Sequence, residues 1–331
     1  MKRAGYLILG AVCAFLCAAV TSPGLLEEPV AGVTRYGLMV ALSIVIAFAV
    51  WQASTRRSHA DHPSLSSPAA ASLLAVCSFL GARVLYCLIR LPYYLDTGIA
   101  HVLFTREGGF LLYGAILGMI SGAALLARKK RLSIPAILND LTIPGLTAIV
   151  ICRLGEGFAR EGLGTWVENE KYARFPFAVQ NPYGEYQWAL FFLEALYALL
   201  LIWFLCSSGR HRAGKDERMV TALFLYAAAQ IFFESLRKDS SLKIGFVRVS
   251  QVLSATSILA VILLRNRNMK KILGFKVMLC AICLTAIGII EWALDKTELN
   301  IFLLYAGMVL FCAVLVWTGR KTALPEQKQH S

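Results

Sequence analysis

Four charged residues stand where an apolar chain has least use for charge. Arg83 lies about two helical turns inside an apolar stretch at 68–89. Arg153 sits at the end of one at 134–152, and Glu234 and Arg237 at the end of one at 219–236. An ion within a bilayer is costly, so each such residue marks either a functional path or a pairing with another helix. Tyr226, Gln230, Glu234 and Arg237 follow one another at intervals of four, four and three, which places them on one helical face looking into a bundle. Interhelical polar packing produces the same stripe without any ligand. Cys280-x-x-Cys283 has the spacing of a redox dithiol, but within an apolar helix the two thiols read as packing groups.

The elements that must position these residues are transmembrane helices. The 331 residues are 58% hydrophobic and only 16% charged, well below the roughly 25% charged residues of ordinary globular domains. Ten apolar runs are long enough to cross about 30 Å of hydrocarbon: 6–22, 36–52, 68–89, 110–127, 134–152, 188–206, 219–236, 249–264, 273–294 and 299–318. The fold class is therefore an all-α polytopic bundle. Lys2-Arg3 followed by an apolar run also fits a signal peptide, but without a clean A-x-A cleavage site the first run reads as a retained helix. Basic runs at Arg128 to Arg131, Arg210 to Arg218 and Arg265 to Lys271 fall in alternate loops, so both termini are expected inside and loop 153–187 outside. The net charge of +13 is then mainly a cytoplasmic fringe, and nucleic acid is not an expected partner. Loop 153–187 is long enough for a small head over the membrane.

Several short elements, taken in order, resemble one family. Arg35-Tyr36-Gly37-Leu38-Met39 is similar to a Tyr-Gly-Leu-Met opening, and Gly81-Ala82-Arg83-Val84-Leu85-Tyr86 to Gly-Gly-Arg-x-x-Tyr. Glu107 to Ala115 resembles Asp-Gly-Gly-x-x-x-His-Gly-Gly, and Arg153-Leu154-Gly155-Glu156 through Glu161 to Gly164 resembles Gly-Arg-x-Gly-Asn-Phe-x-Asn-x-Glu-x-x-Gly. Weaker echoes are Pro182 to Tyr186 against His-Pro-x-x-x-Tyr-Glu, and Tyr226 to Arg237 against Tyr-x-x-x-Arg-x-x-x-Glu-x-x-Arg. Together they resemble the bacterial phosphatidylglycerol:prolipoprotein diacylglyceryl transferases over residues 35–264. On that basis 1–34 is an extra N-terminal helix and outer loop, 35–264 a seven-helix transferase-like core, and 265–331 two extra C-terminal helices and a cytoplasmic tail.

The resemblance implies transfer of a diacylglyceryl group from phosphatidylglycerol to the lipobox cysteine thiol of a prolipoprotein signal peptide. Glycerol phosphate is released at the outer leaflet of the plasma membrane, with no cofactor or metal. Arg153, with Arg83 or Arg237 beside it, is then the phosphate clamp, since guanidinium binds phosphate oxygens bidentately and keeps its charge. Tyr36, Gly155, Gly164 and Glu234 complete the implied substrate-binding set, and Tyr113, Glu156, Glu161, Tyr226 and Gln230 are the catalytic candidates. Three of these depart from the family pattern: Tyr113 replaces His, Glu156 replaces Asn and Gln230 replaces Arg. A phenol, with an ordinary pKa of about 10, is a better hydrogen-bond donor than base, so a desolvated Glu156 or Glu161 becomes the candidate base. Alternatively Glu156 neutralises Arg153, which weakens anion binding and points to a lipid-binding or assembly protein that has lost the reaction. A small-solute or lipid transporter is a second alternative, disfavoured because the charges gather at the outer face and no inverted repeat is apparent.

Overall fold

The computed structural model describes residues 35–58, 67–103, 108–174, 176–180, 185–207, 217–238, 242–245, 247–266, 269–297 and 299–319. Among them are nine helices long and apolar enough to cross a membrane. These are α1 (Arg35–Ser58), α2 (Pro68–Ile89), α4 (Leu112–Lys130), α5 (Ile134–Ala159), α6 (Leu190–Ser207), α7 (Arg218–Leu236), α8 (Val249–Asn266), α9 (Lys270–Lys296) and α10 (Ile301–Thr318). The short α3 (Leu91–Thr97) lies between α2 and α4. Nine of the ten expected spans are present, and the run at 6–22 falls outside the described residues. One boundary differs in a way that matters: α5 continues to Ala159 instead of stopping near 152. Hydropathy ends where Arg153 and Glu156 begin, but the backbone stays helical because those charges are paired within the protein.

The chain packs as two compact units. The first holds the described residues of Met1–Met219 and Arg237–Asp239. In it α1 pairs with α5, α2 with α4, and α5 with α6. The α2–α4 contact is built on glycine: a Cβ on Gly114 would fall 2.8 Å from the Ala82 Cα, and one on Gly118 would collide with the Cys77 carbonyl. Close backbone approach of this kind holds helices together where lipid removes the hydrophobic drive. At the starting end of α5, Trp51, Leu74, Leu126, Ile137 and Leu141 form a buried apolar cluster. Beyond its other end lies a three-stranded antiparallel sheet in the order β1 (Leu163–Trp166), β3 (Tyr186–Ala189), β2 (Ala178–Gln180). Leu163 pairs with Ala189, and Ala178 with Trp188. Leu163, Ala189 and Phe191 are its buried apolar core.

The second unit holds Val220–Leu236 and the described residues of Ser240–Ser331. Phe224, Ile231, Ile258, Ile262, Cys280, Cys283, Met308 and Leu315 from α7 to α10 form one apolar core. Both thiols of the Cys-x-x-Cys pair are buried in it and unbridged, consistent with packing. Two side chains place three polar bonds around this core: Arg265 donates to the Gly319 carbonyl and the Thr221 hydroxyl, and Gln251 donates to Glu291.

Candidate active site

Two guanidiniums and two carboxylates close into a ring in the first unit. Arg153 and Glu156 are one turn apart on α5, so their side chains meet, Nη1 to Oε1 at 2.5 Å. The other oxygen of Glu156 accepts from Arg237 Nη2 at 2.6 Å. Glu194, one turn into α6, faces the same pair from behind, with Oε2 at 2.9 Å from Arg153 Nε and Oε1 at 3.4 Å from Arg237 Nε. All four residues are buried, and the formal charges sum to zero. A buried charge left without its partner costs several kcal/mol, so each member of this ring holds the others in place.

The small sheet explains how residues so distant in sequence converge. Helix α5 ends at Arg160 in a left-handed conformation (φ 55°), and Gly162 adopts φ 67°. A Cβ on Gly162 would lie 2.8 Å from Glu156 Oε2 and 3.0 Å from Arg237 Nη2, so glycine is required there for both backbone and space. The Phe191 amide donates to the Gly162 carbonyl at 2.8 Å, fixing the start of α6 and with it Glu194. The Lys238 amide donates to the Leu163 carbonyl at 2.9 Å and fixes Arg237, the residue immediately after α7. Gly164 packs against Trp188 of the same sheet and Leu190 at the start of α6, which makes its closest contacts structural. Glu161 is exposed on the turn, its amide bonded to the Glu156 carbonyl at 3.0 Å.

Arg83 sits in a different environment. Its Nε donates to Val102 O at 3.1 Å, Nη1 to Gly108 O at 2.6 Å and Gly109 O at 3.2 Å, and Nη2 to His101 O at 3.3 Å. Tyr86, Tyr94 and Phe110 surround the cation with ring centroids 5.7–5.9 Å away. Gly109, at φ 85°, allows this approach, since a Cβ would come within 2.6 Å of Arg83 Nη1. Burial pushes the Tyr94 phenol above its ordinary pKa, against the opposing pull of Arg83, so the ring stays neutral. These contacts tie the polypeptide between α2 and α4 to the end of α2.

The remaining candidates fall in three places. Tyr36 on α1 packs beside Gly155, where a Cβ would fall 2.8 Å from the Met39 Cβ and 3.3 Å from the Tyr36 ring, so Gly155 sets the α1–α5 separation at the ring. Tyr113 is buried in the first turn of α4. Tyr226, Gln230 and Glu234 form a buried face of α7 in the second unit, as their spacing requires, and Gln230 Nε2 donates to Glu234 Oε1 at 3.0 Å. Sequence reasoning missed Glu194, although it is a lone carboxylate in an 18-residue apolar helix and the rule that singled out Arg83 applies to it equally. It also missed Gly162. No cluster of three or more His, Cys, Asp or Glu able to hold a metal occurs among the described residues.

Fold and site define a multi-pass membrane protein whose first unit gathers Arg153, Glu156, Glu194 and Arg237 into one buried ring. The chain belongs to the prolipoprotein diacylglyceryl transferase family, whose model matches residues 23–266. Among similar proteins, the phosphatidylglycerol–prolipoprotein diacylglyceryl transferase of Clostridium novyi (strain NT) is 27% identical over 245 residues, covering 73% of this chain and 94% of the relative. The enzyme of that name from Synechococcus elongatus is 30% identical over 262 residues, covering 75% and 88%. The one from Staphylococcus xylosus is 25% identical over 251 residues, covering 71% and 85%. The match ends at the last residue of α8, so α9 and α10 lie outside it.

Proposed function

We propose that this chain transfers the diacylglyceryl group of phosphatidylglycerol to the lipobox cysteine of prolipoproteins, with Arg153 and Arg237 as its phosphate-binding pair. Membership of the family carries the reaction, and the juxtaposition of two guanidiniums at one buried carboxylate carries the site. In this reaction the cysteine sulfur attacks the glyceryl CH2 next to the phosphate. The C–O bond breaks, glycerol phosphate departs with the electron pair, and the thiol proton passes to a base. Two guanidiniums stabilise the charge gathering on the departing phosphate, where preorganised cations are most effective. Glu161 is the better base of the two carboxylates, because both oxygens of Glu156 are engaged by arginine; the desolvation Glu161 lacks on the exposed turn has to come from the bound substrates. Tyr113 acts as a neutral hydrogen-bonding group, and Arg83 as a positioning residue for the segment leading into α4. The basic loops support cytoplasmic termini and a site open to the outer leaflet.

The neutralised ring favours one other reading, a family-derived lipid-binding protein without turnover. One assay separates them. Purified protein in phosphatidylglycerol vesicles is given a lipobox peptide, and release of glycerol phosphate is followed with the mass of the peptide. Glu161→Gln is expected to lower the rate about 10²–10⁴-fold, and Tyr113→His to raise it by supplying a stronger base. Silence of both the natural protein and Tyr113→His rejects the transferase reading.

A further inference from the structure

The two carboxylates of the ring are not equivalent. Glu194 holds the Nε edges of both arginines and its side chain is 1% exposed; Glu156 holds the outer Nη atoms and is 12% exposed. Glu156 also bridges the pair with its two oxygens, Oε1 to Arg153 and Oε2 to Arg237. A phosphate presents two oxygens to two donors in the same way. We infer that Glu156 is an internal anion occupying the seat of the ligand phosphate, and that Glu194 is the positioning residue that keeps both guanidiniums aimed at that seat. This rests on the assignment of Arg153 and Arg237 as the phosphate-binding pair.

The consequence is competition. A phosphate enters only by displacing the Glu156 carboxylate from Nη1 of Arg153 and Nη2 of Arg237, while Glu194 stays in place and prevents the arginines from swinging apart. Glu156 therefore weakens the binding of every phosphate-bearing ligand and sets a high threshold for the donor lipid. An explanation by net charge alone makes a different forecast: removing either carboxylate raises the ring from neutral to +1, so both changes strengthen anion binding. Division of labour gives effects of opposite sign.

Binding is measured for the full chain in phosphatidylcholine vesicles carrying graded phosphatidylglycerol, and separately with soluble sn-glycerol 1-phosphate, no peptide being present. Glu156→Gln is expected to tighten binding about tenfold, and Glu194→Gln to weaken it by a similar factor. Tightening towards the vesicles assigns the seat to the lipid phosphodiester; tightening towards the soluble phosphate alone assigns it to the leaving group. If Glu156→Gln does not fold, as judged by thermal unfolding in detergent, Glu156→Asp is used instead, and its shorter reach is expected to tighten binding about threefold. Unchanged binding in folded Glu156 variants, or tightening by both Gln variants, overturns the inference while leaving the transferase reading untouched. Absence of binding by all forms, the natural protein included, overturns the phosphate-site assignment itself.

Discussion

Arg83 and Arg153 are both guanidiniums near the end of an apolar span, and the molecule treats them in opposite ways. Backbone carbonyls of His101, Val102, Gly108 and Gly109 accept from Arg83, so these donors serve the backbone it anchors. Carboxylates surround Arg153, so its charge is cancelled, and one of its partners can be exchanged for another anion. A carbonyl that accepts from Arg83 is released only by moving the backbone that carries it. A ring of carboxylates can release one, because an incoming phosphate restores the charge balance that the departing carboxylate removes. The contrast separates an arginine that anchors backbone from one that pairs with carboxylates, a distinction neither hydropathy nor residue type supplies.

The comparison breaks most sharply at Glu194. Glu194→Ala leaves two buried guanidiniums sharing one carboxylate and is expected to cost about 3–5 kcal/mol, read as a lowered unfolding temperature in detergent. Next in size is Arg83→Ala. The carbonyls of His101, Val102, Gly108 and Gly109 lose their donor, with an expected cost of about 1.5–3 kcal/mol and a new site of limited proteolysis beside them. Smaller again is Gly162→Ala, where the left-handed backbone alone costs about 1–2 kcal/mol. Its added methyl meets Glu156 and Arg237, so phosphatidylglycerol binding should change along with stability. A fall in stability after Gly162→Ala with binding untouched would separate the turn from the ring.

Much of this was legible in the sequence. The spans from Arg35 to Thr318 follow from apolar runs bounded by charge, and the buried face of Tyr226, Gln230 and Glu234 follows from their spacing, whereas Arg237, expected on that face, lies just past the helix end in extended backbone. Glu156 as the neutraliser of Arg153, an alternative open in the sequence, is the arrangement found, because a helix turns a separation of three residues into contact. What escaped was long-range. Glu194 sits among Leu, Phe and Ala with no polar neighbour in sequence to advertise it, and its partners lie on α5 and beyond α7. The extension of α5 to Ala159 escaped for the same reason, since hydropathy registers the charge of Arg153 and Glu156 but not its cancellation. The sheet that brings Glu194 and Arg237 together depends on pairings such as Leu163 with Ala189, which no local pattern in these short strands encodes.

The proposed function has the ring, and not the carbonyl cage, hold the phosphate of the donor lipid. Arg153→Ala removes half of the guanidinium pair, and the most direct test is its kcat/KM for glycerol phosphate release from phosphatidylglycerol vesicles with a lipobox peptide. A fall of about 10²–10³-fold in protein that remains folded is the expected result. Turnover equal to that of the natural protein in folded Arg153→Ala would contradict it.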